Sequence, residues 1–172
     1  GAGYVGGLAG KSSTITNSYS EGNVVGTKTY VGGLAGYVSG NVLKSFSKGI
    51  VSGDSSYVGG ILGYVYGRID SSYHVGGDVI GAGYVGGLVG YVSSSISSSY
   101  SEGNVVGIKT YVGGLAGYGR DISKSYVKGS VRSDSNFVGG VVGYDSDGPI
   151  DSCYHIGGGV SGADYVGGLA GK

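Results

Sequence analysis

The sequence predicts an all-β protein built as a parallel β-solenoid, and three observations support this. An aromatic residue followed by Val-Gly-Gly recurs at steps of 26, 27, 27, 27, 26 and 28 residues. The motif starts at Tyr4, Tyr30, Tyr57, Tyr84, Tyr111, Phe137 and Tyr165. A nearly fixed period is typical of repeat arrays whose units pack on their neighbours. The runs between turn-forming residues are short and β-branched or aromatic, which indicates strands. Gly, with 42 of 172 residues, would cost a helix about 1 kcal/mol per residue relative to Ala.

Each repeat is predicted to form one rung, and residues 1–172 are predicted to form a single domain. The rungs span about 4–29, 30–56, 57–83, 84–110, 111–136 and 137–164, with a partial rung at 165–172. We expect two or three short strands per rung, and a rise of about 4.8 Å between rungs. Residues 20–26 recur as 101–107, and residues 73–77 closely resemble 154–158. This spacing of 81 residues groups the rungs into two three-rung blocks.

The first segment of a rung reads Tyr-Val-Gly-Gly-Leu-Ala-Gly-Tyr. Its aliphatic column is expected inside the coil and comprises Leu8, Leu34, Ile61, Leu88, Leu115 and Val141. Gly is expected here and at the corners because it permits positive φ and close approach of backbones. The facing of the Tyr4-type and Tyr37-type columns stays open, since the Gly-Gly step can break strand alternation.

The second segment reads [Ile/Val]-x-x-[Ser/Cys]-[Tyr/Phe]-x-x-Gly. Its small-residue column is Ser18, Ser45, Ser72, Ser99, Ser125 and Cys153. Free Cys is often buried, so this column is predicted to point inward. Alternation then places the following column on the outer face. That outer column is Tyr19, Phe46, Tyr73, Tyr100, Tyr126 and Tyr154. A short third segment leads into the next rung.

Two residues further along, the same outer face carries Glu21, Lys48, Val75, Glu102, Lys128 and Ile156. We expect Glu21 to lie beside Lys48, and Glu102 beside Lys128. Such exposed pairs are worth about 0–1 kcal/mol, so they should fix register more than they stabilise the fold.

The outer aromatic column is the candidate binding surface. Exposed rings with hydroxyl tips could bind sugars, another solenoid or a surface. The alternative is that stacked like residues only stabilise the ladder.

No catalytic constellation, metal site or cofactor is predicted. His74 and His155 occupy equivalent places three rungs apart, about 14 Å at the β spacing, which is too far for a shared metal. Residues 145–151 resemble a calcium loop but lack the distal Glu of an EF-hand. Cys153 is the only cysteine, so no intrachain disulfide is expected.

Charge and hydropathy limit the classes of partner that the sequence predicts. The chain has 11 basic and 11 acidic residues, and it lacks the basic footprint of nucleic-acid binding. No run approaches the roughly 18 apolar residues of a transmembrane helix.

The segment Val-Gly-Gly-Leu-Ala-Gly, followed by Ser-Tyr-x-x-Gly-x-Val, resembles the GLUG-motif repeats of bacterial cell-surface proteins. The core tetrapeptide stands at residues 7–10, 33–36, 87–90, 114–117 and 168–171, with apolar variants at 60–63 and 140–143. The resemblance implies secreted or surface-anchored stalks and adhesins, or non-catalytic regions of large surface proteins such as immunoglobulin A-cleaving metallopeptidases. It implies no catalytic residues, and the zinc motif His-Glu-x-x-His does not occur in the sequence.

The sequence therefore predicts a non-enzymatic structural or adhesive segment of a secreted or cell-surface protein, extracellular in location. Its predicted partners are other copies of itself or adjoining repeats, reached through uncapped ends, with glycans or a surface as alternatives. The chain is expected to be a fragment of a longer array, a subunit that stacks into a filament, or both.

Rival functions remain. One is a carbohydrate- or surface-binding module of a large surface enzyme. A carbohydrate-active enzyme would need clustered carboxylates, whereas Asp70 and Asp151 share a column but lie three rungs apart. An ice-binding solenoid would need a flat array of Thr pairs, which the sequence does not form.

Overall fold

The chain winds into a parallel β-solenoid of about six turns, as the sequence predicts. The computed structural model describes residues 3–27, 29–54 and 56–172. Each complete turn contains five short strands, and equivalent strands of successive turns pair into five parallel sheets, here called A to E. The described residues form no helix, and thus none that could cross a membrane.

Sheets A and B hold the first segment of each repeat. Sheet A contains β1 (Tyr4–Gly6), β6 (Tyr30–Gly32), β11 (Tyr57–Gly59), β16 (Tyr84–Gly86), β21 (Val112–Gly113), β26 (Val138–Gly139) and β31 (Val166–Gly167). Sheet B contains β2 (Ala9–Ser12), β7 (Ala35–Val38), β12 (Leu62–Val65), β17 (Val89–Val92), β22 (Ala116–Gly119) and β27 (Val142–Asp145).

Sheets C, D and E hold the rest of each turn. Sheet C contains β3 (Ile15–Thr16), β8 (Val42–Leu43), β13 (Ile69–Asp70), β18 (Ile96–Ser97), β23 (Ile122–Ser123) and β28 (Ile150–Asp151). Sheet D contains β4 (Tyr19–Glu21), β9 (Phe46–Lys48), β14 (Tyr73–Val75), β19 (Tyr100–Glu102), β24 (Tyr126–Lys128) and β29 (Tyr154–Ile156). Sheet E contains β5 (Val24–Gly26), β10 (Val51–Gly53), β15 (Val79–Gly81), β20 (Val105–Gly107), β25 (Val131–Ser133) and β30 (Val160–Ser161).

Five strands per turn exceed the expected two or three, because corners divide the segments. The Gly-Gly step separates sheet A from sheet B. The corner between sheets C and D is formed by non-glycine residues with φ between 48° and 54°, namely Asn17, Lys44, Ser71, Ser98, Lys124 and Ser152. The expected positive-φ glycines occur at the next corner, after sheet D, where Gly22 has φ 126° and Gly49 has φ 123°.

The core consists of two parallel stacks of apolar side chains. The larger stack lies within sheets B, C and D and includes the predicted column from Leu34 to Val141, which is fully buried. Leu8 of the same column is 51% exposed, since it has a neighbouring turn on one side only. The smaller stack contains valines of sheets A and E, such as Val58 and Val79.

The small-residue column points inward, as predicted, and its hydroxyls tie the turns together. Ser45, Ser72, Ser99 and Ser125 are each 1% exposed. The Ser72 Oγ accepts the N–H of Ser45 at 3.1 Å and donates to the Asp70 carbonyl at 2.9 Å. The other serines repeat these two bonds. Serine therefore contributes hydrogen bonds at these positions and is small enough to fit there.

The second glycine of the Gly-Gly step lies against sheet D and against the backbone of the next turn. The inward column of sheet D, called here the inner column, comprises Ser20, Ser47, His74, Ser101, Val127 and His155. A Cβ on Gly33 would lie 2.9 Å from both Cβ and Oγ of Ser47. A Cβ on Gly60 would overlap the His74 ring and the Gly87 carbonyl. These glycines are thus needed for close approach rather than for positive φ.

Candidate functional site

The six candidate aromatic residues form one continuous stack on the outer face of sheet D, called here the sheet D ladder. Neighbouring ring centroids lie 4.7–5.2 Å apart, with interplanar angles of 1–5°. The stack arises because parallel in-register strands place like residues in successive turns directly above one another, as with Tyr73 and Tyr100.

This stacking changes the chemistry expected of the ladder. Each inner ring is covered on both faces by its neighbours, so the outer surface presents ring edges and hydroxyls. The terminal rings are the most accessible, with Tyr19 60% and Tyr154 49% exposed. A sugar could not lie flat on an inner ring without separating the stack, whereas hydroxyl groups at the ring tips can still hydrogen-bond.

The charged residues lie beside this ladder in a second outward column, called here the charge column. It comprises Glu21, Lys48, Val75, Glu102, Lys128 and Ile156. Glu102 and Lys128 approach to 4.0 Å, and the Tyr126 hydroxyl donates to Glu102 at 3.4 Å. Glu21 and Lys48 are register partners, but among the described residues their charged groups do not come within 4.0 Å.

A larger aromatic surface lies on sheets A and B, and the sequence left its facing open. One lane holds Tyr4, Tyr30, Tyr57, Tyr84, Tyr111, Phe137 and Tyr165. The other holds Tyr37, Tyr64, Tyr91, Tyr118 and Tyr144. Rings of different lanes meet edge to face at 5.5–6.3 Å. We call this surface the double tyrosine ladder.

Lysines take the place of tyrosine at both ends of the second lane. The Lys11 ammonium lies 5.2 Å from the Tyr37 ring centroid, and the Lys172 ammonium lies 5.5 Å from that of Tyr144. Lys11 is also the register partner of Tyr37. These cation–π contacts cover the outermost rings of the lane.

The double tyrosine ladder is uncharged over its central turns. Burial raises the pKa of Tyr64 to about 12, and the neighbouring Tyr66 and Tyr91 add to the shift, while a hydrogen bond with Ser93 at 3.3 Å opposes it. Burial and nearby phenols raise the pKa values of Tyr57, Tyr84 and Tyr91 as well. The surface therefore offers neutral hydroxyl groups and ring edges to a partner.

The two histidines lie in the inner column and do not share a site. His74 is fully buried, and its Nδ1 lies 2.9 Å from the Ser47 hydroxyl and its Nε2 lies 3.3 Å from the Gly77 carbonyl. Burial lowers the pKa of His74 to about 4, and hydrogen bonding to the backbone of Gly77 and of Ser47 partly offsets this shift. His155 Nε2 lies 2.7 Å from the Gly129 carbonyl.

Residues 145–151, which resemble a calcium loop, contain the turn between β27 and β28. The Asp145 carboxylate accepts the Gly148 N–H at 3.3 Å. Within the described part of the chain, no three His, Cys, Asp or Glu side chains are grouped so that they could hold a metal.

In the comparison with known proteins, one family model matches part of the chain. The model of the GLUG motif matches residues 1–25 and 81–106, the first turn of each three-turn block, which confirms the resemblance at these two segments. No match was found among curated proteins or among solved structures.

Proposed function

We propose that this chain, a protein with GLUG-motif repeats, is a non-enzymatic structural segment of a secreted or cell-surface protein. One observation carries the proposal: every turn keeps like residues in register with the next, in five sheets at once. Such a coil is a stiff spacer whose length grows by about 4.8 Å per turn. Six turns give about 30 Å.

The modular spacer can be tested by adding a block. Inserting a second copy of residues 84–164 adds three turns, which should lengthen the rod by about 14 Å without widening it. Small-angle X-ray scattering measures the length and the cross-section separately. A wider particle of unchanged length would contradict a solenoid spacer.

We further propose that the segment has an adhesive role. Outer columns repeat the same group at every turn, so weak single contacts add along the rod.

The double tyrosine ladder favours a second candidate function, a carbohydrate- or surface-binding module, because its hydroxyls recur in two lanes. A glycan array tests this, with Tyr64→Phe and Tyr91→Phe removing two central hydroxyls while keeping the rings. Binding that is equal in the wild type and the double variant would exclude the hydroxyls as the recognition groups.

End-to-end stacking is the third part. The outermost strands of sheet A, β1 and β31, each have one neighbour in their sheet, and an open strand edge can pair with a further strand. Stacking in the same register would bring Lys11 of one copy near Lys172 of the next. Filaments seen by electron microscopy should therefore be favoured by added salt, which screens the two ammonium groups. Short separate rods at every concentration and salt level would exclude stacking.

The cell-surface location can be tested with antibodies against the folded chain. Labelling of intact source cells is expected, and labelling only after lysis would contradict it.

A further inference from the structure

We propose that two copies of this chain associate side by side and antiparallel through the outer face of sheet D, with a two-fold axis beside Val75. This contact is lateral and does not depend on end-to-end stacking. The order of charges along the charge column carries the proposal.

The charge column repeats one pattern every three turns. Turns 1 to 6, numbered by their sheet D strands, carry negative, positive, apolar, negative, positive and apolar side chains. In the same order these are Glu21, Lys48, Val75, Glu102, Lys128 and Ile156. Val75 and Glu102 are partly exposed, and the other four are exposed. The charges therefore face solvent and can meet a partner.

Reversing the direction of this column about turn 3 gives its charge complement. Turn 1 then faces turn 5, so Glu21 meets Lys128 of the second copy. Turn 2 faces turn 4, so Lys48 meets Glu102 of the second copy. By symmetry this makes four contacts between opposite charges and none between like charges in the column. Val75 meets its own equivalent on the axis, as an isologous interface requires.

Other alignments of the two columns are poorer. Parallel columns in register would place each charge opposite its own copy, which gives four like-charged contacts. Every other shift, parallel or antiparallel, gives at most two contacts between opposite charges. Because like charges in contact are strongly disfavoured and opposite charges set register, the column selects the antiparallel arrangement.

The neighbouring residues are compatible with this contact. A two-fold axis across the sheet places the sheet D ladder against its own copy, so that Tyr73 meets Tyr73 and ring edges with hydroxyls line the interface. Tyr and Phe are enriched in such interfaces.

The contact is small in a chain of this length. Five turns give a strip about 24 Å long, which is short for a stable interface of about 800 Å² per partner. Association should therefore be weak, and additional three-turn blocks would add further charge contacts to the same face.

Sedimentation equilibrium of the chain from ~10 μM to ~1 mM tests for the dimer. We expect dimers at low salt and a Kd about tenfold weaker in ~0.5 M NaCl, because screening acts on the four charge contacts. A chain that stays monomeric throughout this range, or that associates more tightly in salt, would overturn the proposal.

Exchanging charges tests the alignment. Glu21→Lys alone and Lys128→Glu alone each place like charges opposite one another, and each should weaken association about tenfold or more. The double variant carries both changes, and only the antiparallel alignment about turn 3 then gives four contacts between opposite charges. Its Kd should return to within about threefold of the wild type.

Lys109→Glu is the matched control. This variant changes the net charge by as much as Lys128→Glu does. Because Lys109 is exposed and lies outside sheet D, the Kd of dimerisation should not change. Circular dichroism establishes that all variants are folded. A double variant as weak as the single ones, or a control as weak as Lys128→Glu, would overturn the antiparallel contact.

Discussion

Replacing Gly60 by Ala should be far more destabilising than the same change at Gly168, although both are the second glycine of the repeated motif. A Cβ on Gly60 would overlap the Gly87 carbonyl oxygen and lie 2.7 Å from Cδ2 of His74, inside the ordinary contact limit of 3.4 Å. The ring would have to move by more than about 0.7 Å (3.4 Å less 2.7 Å), because its Cγ lies closer to the added Cβ than Cδ2 does, and the carbonyl would have to move further still. At Gly168 nothing lies within 4 Å.

The magnitude follows from what must move. Overpacking a core costs about 1–3 kcal/mol, and each backbone hydrogen bond that is lost adds about 1 kcal/mol. The bonds at risk join Gly60 N–H to the Gly86 carbonyl and Ile61 N–H to the Leu88 carbonyl, at 3.2 and 2.8 Å. We expect Gly60→Ala to lower the free energy of unfolding by about 3 kcal/mol or more. Gly168→Ala should change it by less than about 0.5 kcal/mol.

Urea unfolding followed by circular dichroism measures both variants, and thermal unfolding supports it. For a chain of this size, 3 kcal/mol corresponds to a fall in Tm of about 6–12 °C. If Gly60→Ala and Gly168→Ala shift stability equally, close approach of sheet D and of the next turn's backbone is not the reason for the second glycine of the Gly-Gly step.

Three further predictions concern single side chains. Ser72→Ala should lower the free energy of unfolding by about 2–4 kcal/mol, because the Ser45 N–H and the Asp70 carbonyl lose their buried partner. Urea unfolding measures this change, and Ser72→Cys, which places the residue found at Cys153, should lower the free energy of unfolding by less. Stability should fall by about 3 kcal/mol as the pH drops from 6.5 towards 4, because the unfolded chain takes up the proton on His74 before the folded chain does. In His74→Ser this dependence of the free energy of unfolding on pH, measured by denaturant titrations, should largely disappear. An unchanged dependence would refute the role of His74. Phenolate absorbance of Tyr64 should appear only near pH 12. Tyr64→Phe should therefore remove absorbance from the late part of an alkaline titration. A loss of absorbance from the early part instead would contradict the raised pKa of Tyr64.

The sequence predicted the fold because the repeat fixes it at many positions together. An aromatic, two glycines and an aliphatic residue recur at each turn, and only stacked parallel strands place all of them in equivalent surroundings. The inward facing of Ser72 and the outward facing of Tyr73 followed from alternation within one short strand.

Other features lay beyond the sequence pattern. The facing of Tyr37 could not be predicted, since glycines carry no side chain from which to follow alternation across the Gly-Gly step. The corner at Lys44 was missed because it uses positive φ without glycine, and no residue preference marks it. Stacking of ring faces in the sheet D ladder depends on ring orientation, which spacing alone does not define.

The inner column also determines which errors of register cost the least free energy. If one turn were looped out and its neighbours joined, Ser47 would stack on Ser101 and lose its contact with the His74 ring, which is made at 2.9 Å. If three turns were looped out, Ser47 would meet His155, and the order of side chains would continue undisturbed. Misregistered chains should therefore differ from the native one by whole blocks of 81 residues. By the same reasoning, this is the step by which such a protein can gain or lose length without repacking its interior.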